Sequence, residues 1–190
     1  LRRRIALPMG ETVIHVRDEV VNQGHEAAGL MLLYHCNPGY PVVAEGSVLI
    51  TPPAEITPRD ENAARGMARR TEFPAPQDGF VENVYRHELL PTDDATVSAS
   101  IVNPGFEPTA RIGLTVSWDP TELPRMWQWR MLGPGMSVTG LEPANCGLAG
   151  RAAEREEGAL EYVEPGESRT FGVSIRVSLG DEAQTLAQRG

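Results

Sequence analysis

His35 and Glu142 are the side chains of this sequence best placed to move protons. His35 follows the apolar run Leu30-Met31-Leu32-Leu33-Tyr34 and opens Cys36-Asn37-Pro38-Gly39. Glu142 follows the short apolar stretch Met136–Leu141 and opens Pro143-Ala144-Asn145-Cys146-Gly147. In both places a titratable group stands where a strand gives way to turn residues, a position that projects side chains into clefts. Ordinary pKa values of about 6.5 for histidine and about 4.3 for glutamate suit an acid and a base after modest tuning. The competing structural readings are a hydrogen-bonded core histidine and a carboxylate that caps a turn or pairs with an arginine. Before Glu142 lies Trp127-Gln128-Trp129, then a Gly133-Pro134-Gly135 turn. If the Trp-Gln-Trp run is a strand, the period of two puts both tryptophans on one face.

Most of the elements that must carry these residues read as strands. Thr12–Val21 has partial alternation of β-branched residues, and Gly29–Tyr34 reads as a strand buried on both faces. Tyr40–Val43 and Gly46–Thr51 follow as extended segments. Pro52–Gln77 is a proline-broken, charged excursion with a short helix near Asn62–Arg70; ordered segments of this length are often functional. Arg59 and Asp60 within it are weak site candidates. Strands resume at Phe80–Leu89, Ala95–Val102 and Ala110–Trp118. Ala149–Glu157 is the best helical window. Arg169–Leu179 alternates with Phe171, Val173, Ile175, Val177 and Leu179 on one face. Many short strands with almost no amphipathic helix predict an all-β, antiparallel β-sandwich. A single domain is expected over residues 1–180, with 181–190 as a tail. The chain opens at Leu1 directly in strand-like sequence, so it reads as a piece of a longer protein.

Composition narrows the function classes. The 190 residues suffice for one domain with a real core, and 19 glycines with 16 prolines favour turns over long helices. A net charge of −9 leaves no basic surplus for phosphates, so no nucleic-acid partner is expected. Acidity also disfavours an anionic membrane surface, and no apolar run is long enough to span a bilayer. Two cysteines, Cys36 and Cys146, are too few for a disulfide scaffold or a Cys-rich zinc site. They read as small apolar fillers in a reduced, cytoplasmic setting. A metal site from His35, His87 and a carboxylate lacks any His-x-His or His-x-x-x-His spacing, so no metal is expected.

The quoted segments Leu33–Gly39, Leu123–Trp129 and Gly140–Asn145 resemble the aldose 1-epimerase (galactose mutarotase-like) superfamily. Gly150–Glu156 and the turn Glu164–Ser168 resemble it too. The likeness runs over most of the chain and is most specific in its last third. It implies a large twisted β-sandwich, the galactose mutarotase-like supersandwich, incomplete here at its N-terminus. It also implies interconversion of sugar anomers, with His35 as general acid and Glu142 as general base. The spacing from His35 to Asn37 is shorter than in the well-known mutarotases. Further sugar contacts in that superfamily come from an N-terminal half, which the resemblance leads one to expect is missing from this sequence. The partner implied is a small carbohydrate, and the chemistry needs no cofactor. Trp127 or Trp129 would stack on the C–H face of a sugar and Gln128 would bond a hydroxyl. Asn37, His87, Arg130 and Asn145 are second-tier substrate-binding candidates. The alternative is a sugar-binding β-sandwich module that does not turn its ligand over.

Overall fold

The computed structural model describes residues 1–107 and 111–187. Its strands are β1 (Arg2–Ala6), β2 (Val13–Val21), β3 (Ala28–Leu30), β4 (Val48–Ile50), β5 (Ala54–Pro58) and β6 (Asn83–Leu89). They continue with β7 (Val97–Asn103), β8 (Ile112–Trp118), β9 (Arg125–Gly133), β10 (Met136–Ala144), β11 (Glu161–Val163) and β12 (Ser168–Leu179). The helices α1 (Glu61–Gly66), α2 (Arg151–Glu156) and α3 (Asp181–Ala187) are short. All named strand pairs are antiparallel. A six-stranded sheet runs β1-β2-β12-β8-β7-β4, a four-stranded sheet runs β10-β9-β6-β5, and β11 pairs with β3. This is the antiparallel all-β architecture expected from the turn-rich sequence.

Between the two large sheets lies one apolar core. Ile101, Val116, Trp118, Phe171 and Val173 from the larger sheet join Met126, Leu132 and Leu141 from the smaller. Removing that much apolar surface from water is the main force that holds the layers together. Each strand of the smaller sheet therefore gives one face to the core and leaves the other for a cleft.

Several elements differ from the sequence reading for identifiable reasons. Of the run Gly29–Tyr34, only Gly29 and Leu30 lie in a regular strand, β3. Residues 32–38 instead run irregularly along the outer edge of β10. Tyr34 N donates to Pro143 O at 3.0 Å, Leu141 N to Cys36 O at 2.9 Å and Thr139 N to Pro38 O at 3.1 Å. One side faces solvent, so the run is not buried on both faces. Tyr40–Val43 is a turn with a cis Tyr40–Pro41 bond, closed by Val43 N donating to Gly39 O at 2.9 Å. The proline-broken excursion holds β5 as well as α1, because β5 finds a partner in β6. Asp60 caps α1 by accepting from Ala63 N. The alternation of β12 holds through Val177 and then inverts: Ser178 is buried and Leu179 exposed. There α3 covers the outer face, with Ala183 fully buried and Leu186 packed over Gly113. Residues 181–187, read as tail, thus form a docked helix. The expected start of a strand at Ala110 lies outside the described residues.

One buried ion pair ties the first strands to the segment that ends at His35. Asp18 is fully buried and accepts from Arg3 Nε and Nη2 at 2.8 and 2.7 Å and from Tyr34 Oη at 2.8 Å. The hydrogen bond from Arg3 leads the causes that hold its pKa below the ordinary carboxylate value. Its stabilisation is full above the unfolded value of about 3.9 and is lost as pH falls through the lower folded one. Asp18→Asn should cost about 1–3 kcal/mol by urea denaturation at pH 7, discounted because Arg3 is half exposed. The gap from wild type should close as pH falls below about 4.

Candidate active site

The hairpin of β9 and β10 sets the site. Its turn, Gly133-Pro134-Gly135, needs the left-handed backbone of Gly135, φ +73°. The register places Glu142 opposite Trp127 and Gly140 opposite Trp129, all on the face away from the core. On the next strand Val84 lies opposite Trp129 and Arg86 opposite Trp127. Gly140 is the gap that the Glu142 side chain fills. A Cβ at position 140 would stand 2.1 Å from Glu142 Oε1 and 3.2 Å from Trp129 Cβ. The carboxylate leans along its strand over the glycine, toward Trp129.

Above that hairpin is a cavity of about 430 Å³, lined among others by His35, Asn37, Arg59, Glu82, Trp129 and Glu142. Its size falls within the range of small-molecule sites. His35 Nε2 stands 3.2 Å from Glu142 Oε1, off the line of a hydrogen bond, and Oε1 has no hydrogen-bond partner. His35 Nδ1 bonds Asn37 Oδ1, which can only accept. The Nδ1 proton is thereby fixed, and Nε2 is left facing the carboxylate. His35 also meets Trp129 edge to face, centroids 6.1 Å apart. The histidine side chain is half exposed and the carboxylate almost wholly buried.

The two acids of the cavity have opposite surroundings. Burial, with the charge of Glu82 second, pushes the Glu142 carboxyl up to about 7. Glu82 is held below its ordinary value, first by the hydrogen bond from Trp129 Nε1 at 2.7 Å and then by Arg59 Nη2 at 2.9 Å. One carboxyl is thus poised near neutrality while its neighbour stays ionised, a division typical of acid–base sites.

The structure brings His35, Asn37, Trp129 and Glu142 together. The other substrate-binding candidates do not line this cavity. His87, Gln128 and Arg130 occupy the core-facing positions and are buried. Gln128 donates to Arg70 O at 2.7 Å and bonds His87 Nε2 at 3.1 Å; Arg130 bonds Glu72 O and stacks over Phe73. Asn145 is a strap: its Oδ1 accepts from Leu32 N at 2.8 Å and its Nδ2 donates to Leu30 O at 3.4 Å. Trp127 shares the outer face, bonds Cys146 O at 3.0 Å, and does not line this cavity. Glu82 was not anticipated and Arg59 only weakly. Glu82 lies one residue before β6 and Arg59 one residue after β5, so only the pairing of those two strands reveals them. Among the described residues no group of three His, Cys, Asp or Glu could hold a metal. No helix among them is long and apolar enough to cross a membrane.

Residues 1–177 match the model of a family described as a domain of unknown function, DUF4432. No curated protein matches the chain. A candidate aldose 1-epimerase from Klebsiella pneumoniae superposes with a TM-score of 0.89 at 21% identity, over 98% of this chain and 48% of its own. A candidate aldose 1-epimerase from Escherichia coli K12 gives 0.59 at 18%, over 93% and 59%. A galactose mutarotase-like protein from Clostridium acetobutylicum gives 0.54 at 13%, over 88% and 53%. The fold is thus the galactose mutarotase-like β-sandwich, and the chain spans about half the length of these structures.

A buried carboxyl raised from 4.5 to about 7 is a stability cost whenever it is ionised. The protonated form favours the fold, so that stability is present below pH 4.5 and lost as pH rises through 7. Glu142→Gln should therefore match wild type at pH 4 and exceed it by about 2–3 kcal/mol at pH 8, by denaturant titration at both values.

Proposed function

The chain belongs to the DUF4432 family, and from that premise we propose that it is a carbohydrate epimerase that interconverts sugar anomers through His35 and Glu142. The observation that carries this reading is the 3.2 Å approach of Nε2 to a carboxylate oxygen with no hydrogen-bond partner, inside a cavity of sugar size. The superfamily resemblance and the fold likeness support it.

Anomerisation needs two proton transfers at one carbon. The anomeric hydroxyl oxygen and the ring oxygen are both bonded to C1, so an acid and a base in contact can reach one each. Side by side, the two groups serve that chemistry. In the reacting form one proton is held between them: imidazolium at His35, carboxylate at Glu142. The carboxylate takes the hydroxyl proton, the C1–O bond becomes a carbonyl, and the ring C–O bond breaks. The ring oxygen takes the Nε2 proton. The C1–C2 bond then rotates, the ring oxygen attacks the other face of the carbonyl, and both protons return. Asn37 holds the imidazole so that Nε2 faces the reacting atoms. Trp129, its N–H anchored to Glu82, offers an aromatic wall to the apolar side of the sugar.

Polarimetry or NMR exchange on freshly dissolved glucose and galactose tests the proposal. Glu142→Gln and His35→Asn should each lower kcat by at least about 100-fold, the lower end of acid–base contributions. Unchanged rates in either variant remove that residue from the reaction. Binding of aldoses without any rate enhancement in wild type would favour the non-catalytic sugar module instead. Because the reacting form holds one proton on the pair, kcat/KM should follow a bell with pH, its acid limb set by the ionisation of Glu142 near 7. A profile flat between pH 5.5 and 8 would exclude Glu142 as the base.

A further inference from the structure

The segment that carries His35 is two-faced without being a regular strand. Leu33, His35 and Asn37 line the cavity, while Tyr34 and Cys36 pack with the core between the sheets. That is the period of two of an extended chain. The main chain of the segment is held along one side, by the bridges of Leu33 to Ala144 and of Cys36 to Leu141 on β10. Among the described residues no strand pairs with its other side. A segment held along one edge can tilt about that edge unless its side chains are fixed.

Tyr34 supplies the fixing. Its side chain is buried, and its hydroxyl crosses to the larger sheet, where it donates to Asp18 Oδ2 of β2 at 2.8 Å. Asp18 is itself locked, because each of its oxygens also accepts from Arg3 of β1. Tyr34 is therefore tied by its main chain to Pro143, beside Glu142, and by its side chain to the opposite sheet. The next residue is His35, whose side chain leaves from the other face. A tilt that lifts Tyr34 from Asp18 swings His35 the opposite way, and Nε2 stands only 3.2 Å from Glu142 Oε1. A displacement of about 1 Å between reacting groups can cost on the order of 100-fold in rate. The hydroxyl is not needed to satisfy Asp18, since Arg3 donates to both oxygens without it. A phenylalanine would also fill the same space in the core. Packing and pairing alone thus give this hydroxyl little to do.

We propose that Tyr34 is a positioning residue for His35, its hydrogen bond to Asp18 setting the imidazole against Glu142. The effect on rate rests on the epimerase reading; the effect on the imidazole rests on the geometry alone. Arg3 has a separate duty. It neutralises a buried carboxylate and so holds the fold, and it reaches His35 only through Asp18 and Tyr34.

Tyr34→Phe and Arg3→Met separate these duties. For each variant the urea midpoint, kcat and KM for aldose mutarotation are measured. In the ligand-free protein, NMR follows the ring-current shift that Trp129, edge to face with His35, imposes on the imidazole protons. Tyr34→Phe should keep most of the urea midpoint, lower kcat about tenfold with KM within about twofold, and weaken that shift. Arg3→Met leaves a buried carboxylate without its cation and should lower the urea midpoint further, yet keep kcat within about twofold and the His35 resonances in place. Unmoved His35 resonances in Tyr34→Phe would overturn the proposal, as would an unchanged kcat in that variant of an active enzyme. Losses of rate and shift that simply follow the urea midpoint in both variants would overturn it too, reducing Tyr34 to a structural residue. A wild type without turnover, whose His35 resonances move in Tyr34→Phe and not in Arg3→Met, would uphold the positioning and defeat the epimerase reading alone.

Discussion

The two-residue period of one hairpin decides which side chains face the cleft. Along β9 and β10 every second side chain helps close the sandwich, and those between them form the cleft. Met126, Leu132 and Leu141 take the first duty, and Trp127, Trp129 and Glu142 the second. The core therefore fixes the register of the cleft, because a slip by one residue would bury Glu142 between the sheets and expose Leu141. The edge of β10 carries the constraint further. Its main chain pairs with residues 32–38, which brings His35 to the same cleft as a carboxylate more than a hundred positions away. Asn145 and the Asp18–Tyr34 contact hold that irregular segment at its start, where no regular ladder does so.

That framework explains what could be read from the sequence and what could not. The layers were legible because turn residues and alternation are local signals. His35 and Glu142 were both singled out as the ends of apolar runs, but β10 continues to Ala144, so Glu142 stands inside the strand and the register of the hairpin turns it to the cleft. Gln128, Arg130 and His87 misled because a polar side chain in a strand looks the same whichever face it serves. Here all three satisfy the backbone of residues 70–72, or each other, inside the sandwich. Glu82 and Arg59 were obscure for a different reason. Each lies one residue outside a strand, and only the pairing of β5 with β6 brings both to the cavity. Gly29–Tyr34 was misread because its apolar residues serve a segment that pairs on one side only.

Charge in the cleft is arranged rather than merely present. Glu82 is the fixed anion, held by an indole N–H and a guanidinium. Glu142 is the movable one: burial denies it water, and the field of Glu82 adds to the cost of its ionisation. The separation of two carboxyls into a permanent and a switchable charge needs both parts. Without Arg59 and Trp129, Glu82 would lose the donors that hold its carboxyl below the ordinary value. Trp129 therefore has two tasks, one as a wall of the cavity and one as a donor that keeps the fixed anion fixed.

Gly140 leaves room on β10 for this carboxylate in the orientation it takes. Any larger residue there would be tolerated by the sheet itself, which prefers β-branched and aromatic side chains to glycine. A Cβ would instead collide with Glu142 Oε1 at 2.1 Å, so the glycine weakens the strand in order to leave the acid its place. Two local losses, a glycine inside a strand and a buried carboxyl oxygen without a donor, meet at one point beside an imidazole. Neither improves packing or pairing, and a hydrophobic pair at the same positions would stabilise the sheet. Local rules broken together at a cavity are the pattern that the proposed acid–base role of Glu142 would leave in a strand.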